Sequence, residues 1–146
     1  MAATMTDDEV RAFLSAGTRT GKLAWTAASG QPHVAPIWFA VDDAAPALEV
    51  VFNTGADSAK GRALQRDPRV SLLVDDERPP FAFVKLTGRV EIGTDLDEMR
   101  TWATRIGGRY MGADRAEEFG RRNGVPGELL VRLRPARVIA QRGVAD

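Results

Sequence analysis

The chain begins with a pattern typical of a short amphipathic helix. Thr6 and Glu9 have the spacing of a capping box, in which each side chain accepts a hydrogen bond from the other residue's backbone N–H. The apolar stripe that follows at helical spacing consists of Val10, Phe13 and Leu14. We therefore predict a helix that ends near Gly17.

From about position 22 the apolar residues mostly recur with a period of two, which is typical of strands that bury one face. The segments with strand character are 22–26, 32–41, 48–52, 70–74, 81–92 and 129–140. Ser29-Gly30 supplies turn chemistry between the first two segments, and Gly88 is expected to mark a bulge in the fifth. The sequence therefore predicts six strands.

Two further stretches have helical spacing. Residues 58–66 suit a short helix that stops before Pro68, because proline disfavours helical backbone in the residue before it. Between 95 and 123 apolar residues again recur at helical spacing, and we predict that Gly107-Gly108 divides this stretch into two helices.

The order of these elements predicts a mainly β protein. Consecutive strands with links of turn length favour an antiparallel meander over βαβ units, and closing six strands into a barrel protects their edges. No repeat, low-complexity tract or linker divides the chain, so we expect residues 1–146 to form a single domain.

Composition excludes several kinds of function. Lysine plus arginine and aspartate plus glutamate both number 20, so zero net charge argues against a nucleic-acid partner. The absence of cysteine excludes thiolate catalysis and cysteine-ligated metals, and the single histidine, His33, argues against a protein-built metal site. There is no apolar run of about 18 residues, so we expect no membrane association and a cytoplasmic location.

Three segments carry motifs that can be compared with known families. The first contains GKLA at 21–24 and GQPHVAPIWF at 30–39. The second contains NT at 53–54, KGRAL at 60–64 and DPRV at 67–70. The third contains RYMG at 109–112 and RRNGVPGELLVR at 121–132.

Together these motifs resemble the pyridoxamine 5′-phosphate oxidase-like superfamily of FMN-binding split β-barrels, and particularly its branch that uses the deazaflavin coenzyme F420. The family patterns are G-x-L-A-T with G-x-P-H-V-x-P-V-W-F, then N-T, K-x-R-N-L and D-P-R-V. The chain departs from them at Trp25, Ser29, Ala35 and Ala63, where threonine, aspartate, a hydroxyl residue and asparagine are frequent. The resemblance implies a six-stranded antiparallel split β-barrel.

The resemblance also implies a cofactor site between the two copies of a homodimer. It assigns the flat ring to the strand at Ala35, Pro36, Ile37 and Trp38, and the anionic end to Asn53, Thr54, Ser58, Ala59, Lys60 and Arg62. Phe81, Tyr110 and Met111 would complete the walls. The residues alone also have purely structural explanations. The first segment is equally consistent with an edge strand, the second with a solvated basic helix, and the aromatic residues with ordinary core packing.

The implied function is hydride transfer from reduced coenzyme F420 to a small electron-poor acceptor. Such a reaction needs neither a catalytic side chain nor a metal, because the cofactor carries the chemistry. FMN in the same pocket is the alternative, although a phosphate monoester carries about two negative charges and favours a denser cationic cluster. A non-catalytic protein that stores or senses a cofactor is also compatible with this fold.

Overall fold

The computed structural model describes all residues, 1–146. The strands are Ala3–Thr4 (β1), Gly21–Thr26 (β2), Pro32–Ile37 (β3), Ala40–Val41 (β4), Val50–Gly55 (β5), Arg69–Asp76 (β6), Ala82–Gly93 (β7) and Glu128–Arg142 (β8). The helices are Asp7–Ser15 (α1), Ala59–Arg66 (α2), Leu96–Met111 (α3) and Ala116–Asn123 (α4), with a 3-10 turn at Ala113–Arg115. The six predicted strands correspond to the six longer ones; the two-residue β1 is additional, and the two-residue β4 is the end of the predicted strand 32–41.

All strands belong to one curled antiparallel sheet, in the order β3-β2-β6-β7-β8-β5-β4, with β1 paired to β8. This confirms the mainly β, antiparallel split-barrel class. The expectation of a simple meander is wrong, because β2 pairs with β6 and β5 pairs with β8. Helix α2 lies between β5 and β6 in the chain and contacts both β2 and β5, so it carries the chain across one end of the barrel.

The two ends of the sheet are consecutive in the chain. Strand β3 lies at one edge and β4 at the other, and only Trp38 and Phe39 separate them. The predicted strand 32–41 is therefore two strands on opposite edges. The barrel is joined at this point by the covalent chain and not by a hydrogen-bonded ladder, which leaves one edge of β3 free.

Helix α3 runs through Gly107-Gly108, so the predicted break at these glycines is wrong. A Cβ atom on Gly107 would lie 2.3 Å from Cβ of Phe119. The pair of glycines therefore allows α4 to pack closely against α3. The helix ends instead at Gly112, whose φ of 103° is accessible to glycine and strained for other residues.

Two apolar clusters stabilise the fold. The larger fills the barrel and includes Leu23, Phe39, Phe52, Leu72 and Leu86. The smaller consists of Val51, Met99, Trp102 and Leu130, and lies between α3 and the outer face of β5 and β8.

Two local predictions are also confirmed. Thr6 and Glu9 form the capping box of α1, and the β7–β8 register shifts between Thr87 and Gly88, where the bulge was expected. None of the helices is long and apolar enough to cross a membrane.

Candidate functional site

A cavity of about 260 Å³ lies beside the split in the sheet. It is lined by Pro36, Ile37, Trp38, Asn53, Lys60, Ala103, Ile106 and Asn123. We call it the Asn53–Lys60 cavity. It brings together residues from all three motif segments, and five of its residues are among those that the family resemblance implies.

Three lining residues were not predicted as site residues. Ala103 and Ile106 belong to the helical apolar stripe, which by itself indicates only core packing. Asn123 lies within the third motif and ends α4, but no local pattern distinguishes it from an ordinary helix-terminal residue.

The free edge of β3 supplies backbone to one side of this region. Strand β3 pairs only with β2, and an edge strand leaves alternate N–H and C=O groups without a ladder partner. Pro36 contributes no N–H, and the nearby Val34 is 67% exposed. Ala35 is half-buried on the same strand but does not line the cavity.

Trp38 forms an aromatic wall that other rings hold in place. Its ring stacks on Tyr110 with centroids 5.2 Å apart and planes 5° apart. Phe119 of α4 meets the same ring edge-on at 5.6 Å. Trp38 is therefore oriented by α3 and α4 before any ligand binds.

Asn53 lines the cavity and has an unpartnered polar group. Its Nδ2 atom is buried and has no hydrogen-bond partner. An unsatisfied buried donor costs about 1–3 kcal/mol, so its retention here is typical of a group that bonds a ligand. The adjacent Thr54 is buried, and its hydroxyl oxygen lies 3.4 Å from Oγ of Ser58 at the start of α2.

Lys60 is the one cationic residue that lines this cavity. It is half-buried and forms neither an ion pair nor a side-chain hydrogen bond. Burial lowers the pKa of Lys60, while the negative charge of Glu128 opposes that shift. Burial in turn raises the pKa of Glu128, with Lys60 opposing the rise.

The N-terminus of α2 adds to this positive character. Ser58 caps the helix, because its Oγ accepts a hydrogen bond from the Gly61 N–H at 3.0 Å and donates one to the Gly55 carbonyl at 2.7 Å. The N–H groups of Ala59 and Lys60 remain at the open end of the helix, and the first turn of α2 contains no acidic residue. This geometry suits an anion.

Arg62 does not join Lys60 in this cavity. It lines a second cavity of about 230 Å³ together with Ala59, Trp25 and His33. Residues two apart on a helix point to different sides, since each residue advances by about 100°. The sequence suggested a combined lysine and arginine site, whereas the structure divides the two side chains between separate cavities.

Thr54, Ser58, Ala59 and Tyr110 do not line the Asn53–Lys60 cavity, and neither do Phe81 and Met111. Phe81 is 41% exposed, precedes β7 with a φ of 67°, and lines a separate cavity with Pro80 and Arg142. Met111 is 36% exposed at the end of α3. Within one chain, neither side chain reaches the cavity.

Tyr110 contributes its ring and not its hydroxyl group. The hydroxyl donates to the Arg19 carbonyl at 2.9 Å and accepts a hydrogen bond from the Phe39 N–H at 3.4 Å. Burial raises the pKa of this phenol. Both hydroxyl contacts are to backbone, so Tyr110 holds the segment that joins β3 to β4.

Arg109 completes this attachment and was not predicted. Its guanidinium donates to the carbonyl oxygens of Phe39 at 2.8 Å, Leu14 at 2.7 Å and Gly17 at 3.0 Å. Helix α1 has no basic residue in its last turn, so Arg109 supplies its C-terminal cation from α3. The sequence offered two signals for such a residue, the missing cation on α1 and the RYMG motif that begins with Arg109, but neither indicated this contact.

A curled antiparallel sheet that is split at one edge defines the split-barrel class of protein. The family model described as pyridoxamine 5′-phosphate oxidase matches residues 6–142, and the chain belongs to this family. No curated protein sequence matches it significantly.

Solved structures share the fold. A conserved hypothetical protein, Rv2991 from Mycobacterium tuberculosis, is 28% identical, with a TM-score of 0.82 over 95% of this chain and 86% of that chain. An F420 reductase is 24% identical, with a TM-score of 0.66 over 87% of this chain and 94% of that one. A FAD-binding protein from Mesorhizobium loti is 23% identical, with a TM-score of 0.67 over 97% of both chains. At these identities the last two establish the fold alone.

Proposed function

We propose that this protein binds the deazaflavin coenzyme F420 in the Asn53–Lys60 cavity and is an F420-dependent oxidoreductase. The observation that carries the proposal is the buried, unpartnered Nδ2 of Asn53 beside the unpaired ammonium of Lys60. When bound in its reduced form, the coenzyme supplies a hydride to an electron-poor double bond, carbonyl or quinone-like acceptor. The fold shared with an F420 reductase supports this proposal.

The residues of the chain have separate tasks in this proposal. The edge of β3 and the wall at Trp38 would hold a flat ring and keep water from it. Asn53 would donate its free N–H to a ring or side-chain oxygen. Lys60 and the N-terminus of α2 would bind a phosphate.

We further propose that a second copy of the chain completes the site. The cavity of one chain is about 260 Å³ and lies next to the free edge of β3, and the exposed Phe81 and Met111 would contact the partner copy or its cofactor. A monomer in size-exclusion chromatography that binds cofactor stoichiometrically would contradict this part of the proposal.

The positive charge available to a phosphate supports F420, whose phosphate is a diester, over FMN, whose phosphate is a monoester. Only Lys60 supplies a cationic side chain there, because Arg62 lines the other cavity. A phosphodiester carries one negative charge, whereas a phosphate monoester carries about two near neutral pH. A flavin remains the second candidate, and the fold shared with a FAD-binding protein supports it.

A fluorescence titration of cofactor-free protein with F420 and, separately, with FMN tests the proposal. We expect saturable binding of F420 and weaker binding of FMN. Lys60→Ala should weaken F420 binding about tenfold or more, because it removes a charge-assisted contact. Arg62→Ala, on the same helix, is the matched control and should bind F420 as the wild type does. Equal losses in both variants would contradict a specific role of Lys60.

The same titration has an expected pH dependence. Since burial lowers the pKa of Lys60, its ammonium loses its proton at a lower pH than an exposed lysine does. F420 affinity should therefore fall as the pH rises through this lowered pKa, and Lys60→Ala should show no such fall.

Stopped-flow reoxidation of the reduced complex separates an enzyme from a carrier. An oxidoreductase should lose the reduced cofactor signal rapidly after an electron-poor acceptor is added. Tight binding with no acceptor-dependent reoxidation, across quinone, nitro and enone acceptors, would instead identify a cofactor carrier.

A further inference from the structure

Three arginines lie side by side on the outer face of the sheet. Arg69 on β6 is directly opposite Arg89 on β7, and Arg89 is directly opposite Arg134 on β8. All three side chains are exposed. Like charges directly opposite each other on a sheet are destabilising, so this row costs the isolated chain stability.

Neighbouring carboxylates neutralise only part of this charge. Arg69 pairs with Asp67 at 2.8 Å, and Arg134 pairs with two glutamates. Arg89, at the centre of the row, forms no ion pair or side-chain hydrogen bond, and neither does the nearby Arg137. Two guanidinium groups are therefore available to an anion.

The row borders a groove of about 580 Å³. Besides the arginines, the groove is lined by Ala24, Trp25, Thr26, Pro32, Val70, Ser71, Thr87, Gly88 and Ala136. The hydroxyl groups of Ser71 and Thr87, which line the groove, lie 3.4 Å apart; one donates to the other, and the second keeps its hydrogen for a ligand. The groove shares no residue with the Asn53–Lys60 cavity.

We infer that this groove, which we call the arginine groove, binds the diphosphate group of a ligand. Guanidinium groups bond phosphate oxygens in pairs, and the row offers several such contacts. Arg89 and Arg137, the two guanidinium groups without a carboxylate partner, lie on adjacent strands about 4.8 Å apart, so each can bond one of two linked phosphates. The inference does not depend on the proposed cofactor.

Calorimetric titration with inorganic diphosphate tests the inference. The wild type should bind diphosphate saturably and more tightly than orthophosphate. Arg89→Gln should weaken binding about tenfold or more, because it removes the central charged contact. Lys85→Gln is the matched control, since Lys85 is an exposed cation on the same face of β7 that does not line the groove. It should bind diphosphate as the wild type does.

Further measurements test whether the anion lies in the arginine groove. Without ligand, Arg89→Gln should melt at a higher temperature than the wild type, because it relieves repulsion within the row. Lys60→Ala should retain diphosphate binding; its loss would place the anion in the Asn53–Lys60 cavity and overturn the inference. ADP that binds more tightly than inorganic diphosphate would support the inference and identify an organic diphosphate as the ligand.

Two further results would overturn the inference. The first is the absence of saturable binding by diphosphate; a dimer that then dissociates in Arg89→Gln would assign the row to a contact between two copies of the chain. The second is an equal loss of binding in Lys85→Gln, which would indicate non-specific attraction.

Discussion

Arg109 and Lys60 are both half-buried cations, and burial lowers the pKa of both. Their surroundings differ in one respect. The guanidinium of Arg109 donates hydrogen bonds to backbone carbonyl oxygens on α1 and at Phe39, whereas the ammonium of Lys60 has no such partner. The cost of burying a charge is offset by hydrogen bonds at Arg109, whereas at Lys60 only the charge of Glu128 opposes it, and we propose that a ligand supplies the rest.

The same contrast holds for the uncharged groups next to each cation. The hydroxyl of Tyr110 bonds two backbone groups, while the amide nitrogen of Asn53 bonds none. Both regions lie against the segment that joins β3 to β4. The satisfied polar groups maintain the fold at this segment, and the unsatisfied groups are those that we propose bind a ligand.

Replacing Arg109 should have the largest effect on stability. Arg109→Ala removes hydrogen bonds to several carbonyl oxygens and leaves the C-terminus of α1 without its cation. We expect a loss of about 3 kcal/mol in the free energy of unfolding, measured by urea denaturation.

Arg105→Ala is the control for this change. Arg105 is an exposed residue of the same helix that contacts only the ring of Trp102, at 4.8 Å. Its loss should cost less than about 1 kcal/mol. Similar losses in the two variants would contradict the assignment of Arg109 as a structural residue.

Replacing Asn53 should have a smaller effect of opposite sign. Asn53→Val removes a buried unsatisfied donor and introduces a residue favoured in strands, so we expect about 1–2 kcal/mol of added stability, together with weaker cofactor binding. Thr54→Val, on the same strand, should add no stability, because the Thr54 hydroxyl already lies by Ser58. A less stable Asn53→Val protein would show that its amide has a structural partner.

Removing the hydroxyl of Tyr110 should have the smallest effect. Tyr110→Phe keeps the ring that stacks on Trp38 and loses two hydrogen bonds to backbone groups, one of them long at 3.4 Å, which together cost about 1 kcal/mol. Because the hydroxyl faces backbone groups, the rate of acceptor reduction and its pH profile should not change. A lower rate with a shifted pH profile would instead assign proton transfer to this phenol.

The sequence predicted local features well. Period-two alternation identified all six longer strands, and the spacing of Thr6 and Glu9 identified the cap of α1, because both depend on neighbours only a few residues apart. Gly107-Gly108 shows where such reasoning fails. Glycine is disfavoured in helix interiors, so a local pattern predicts a break at these positions. Here glycine makes room for a second helix, and that contact depends on residues distant in the chain.

The candidate site shows the same division. The motifs singled out Pro36, Trp38, Asn53 and Lys60, and the structure brings these residues to one cavity. The motifs could not separate Lys60 from Arg62, because which side of α2 faces the cavity depends on how the helix packs. They also could not reveal that Arg109 contacts α1, which is more than 90 residues away in sequence.

The sequence by itself determined the class of fold, the six longer strands and the residue types available for a cofactor. Only the tertiary structure decided the order of strands in the sheet, the free edge of β3, and which polar groups find partners. Periodicity and turn chemistry act over a few residues, so they can be recognised in the sequence. Whether a buried donor such as that of Asn53 is satisfied depends on segments distant in the chain, and that requires the packed structure.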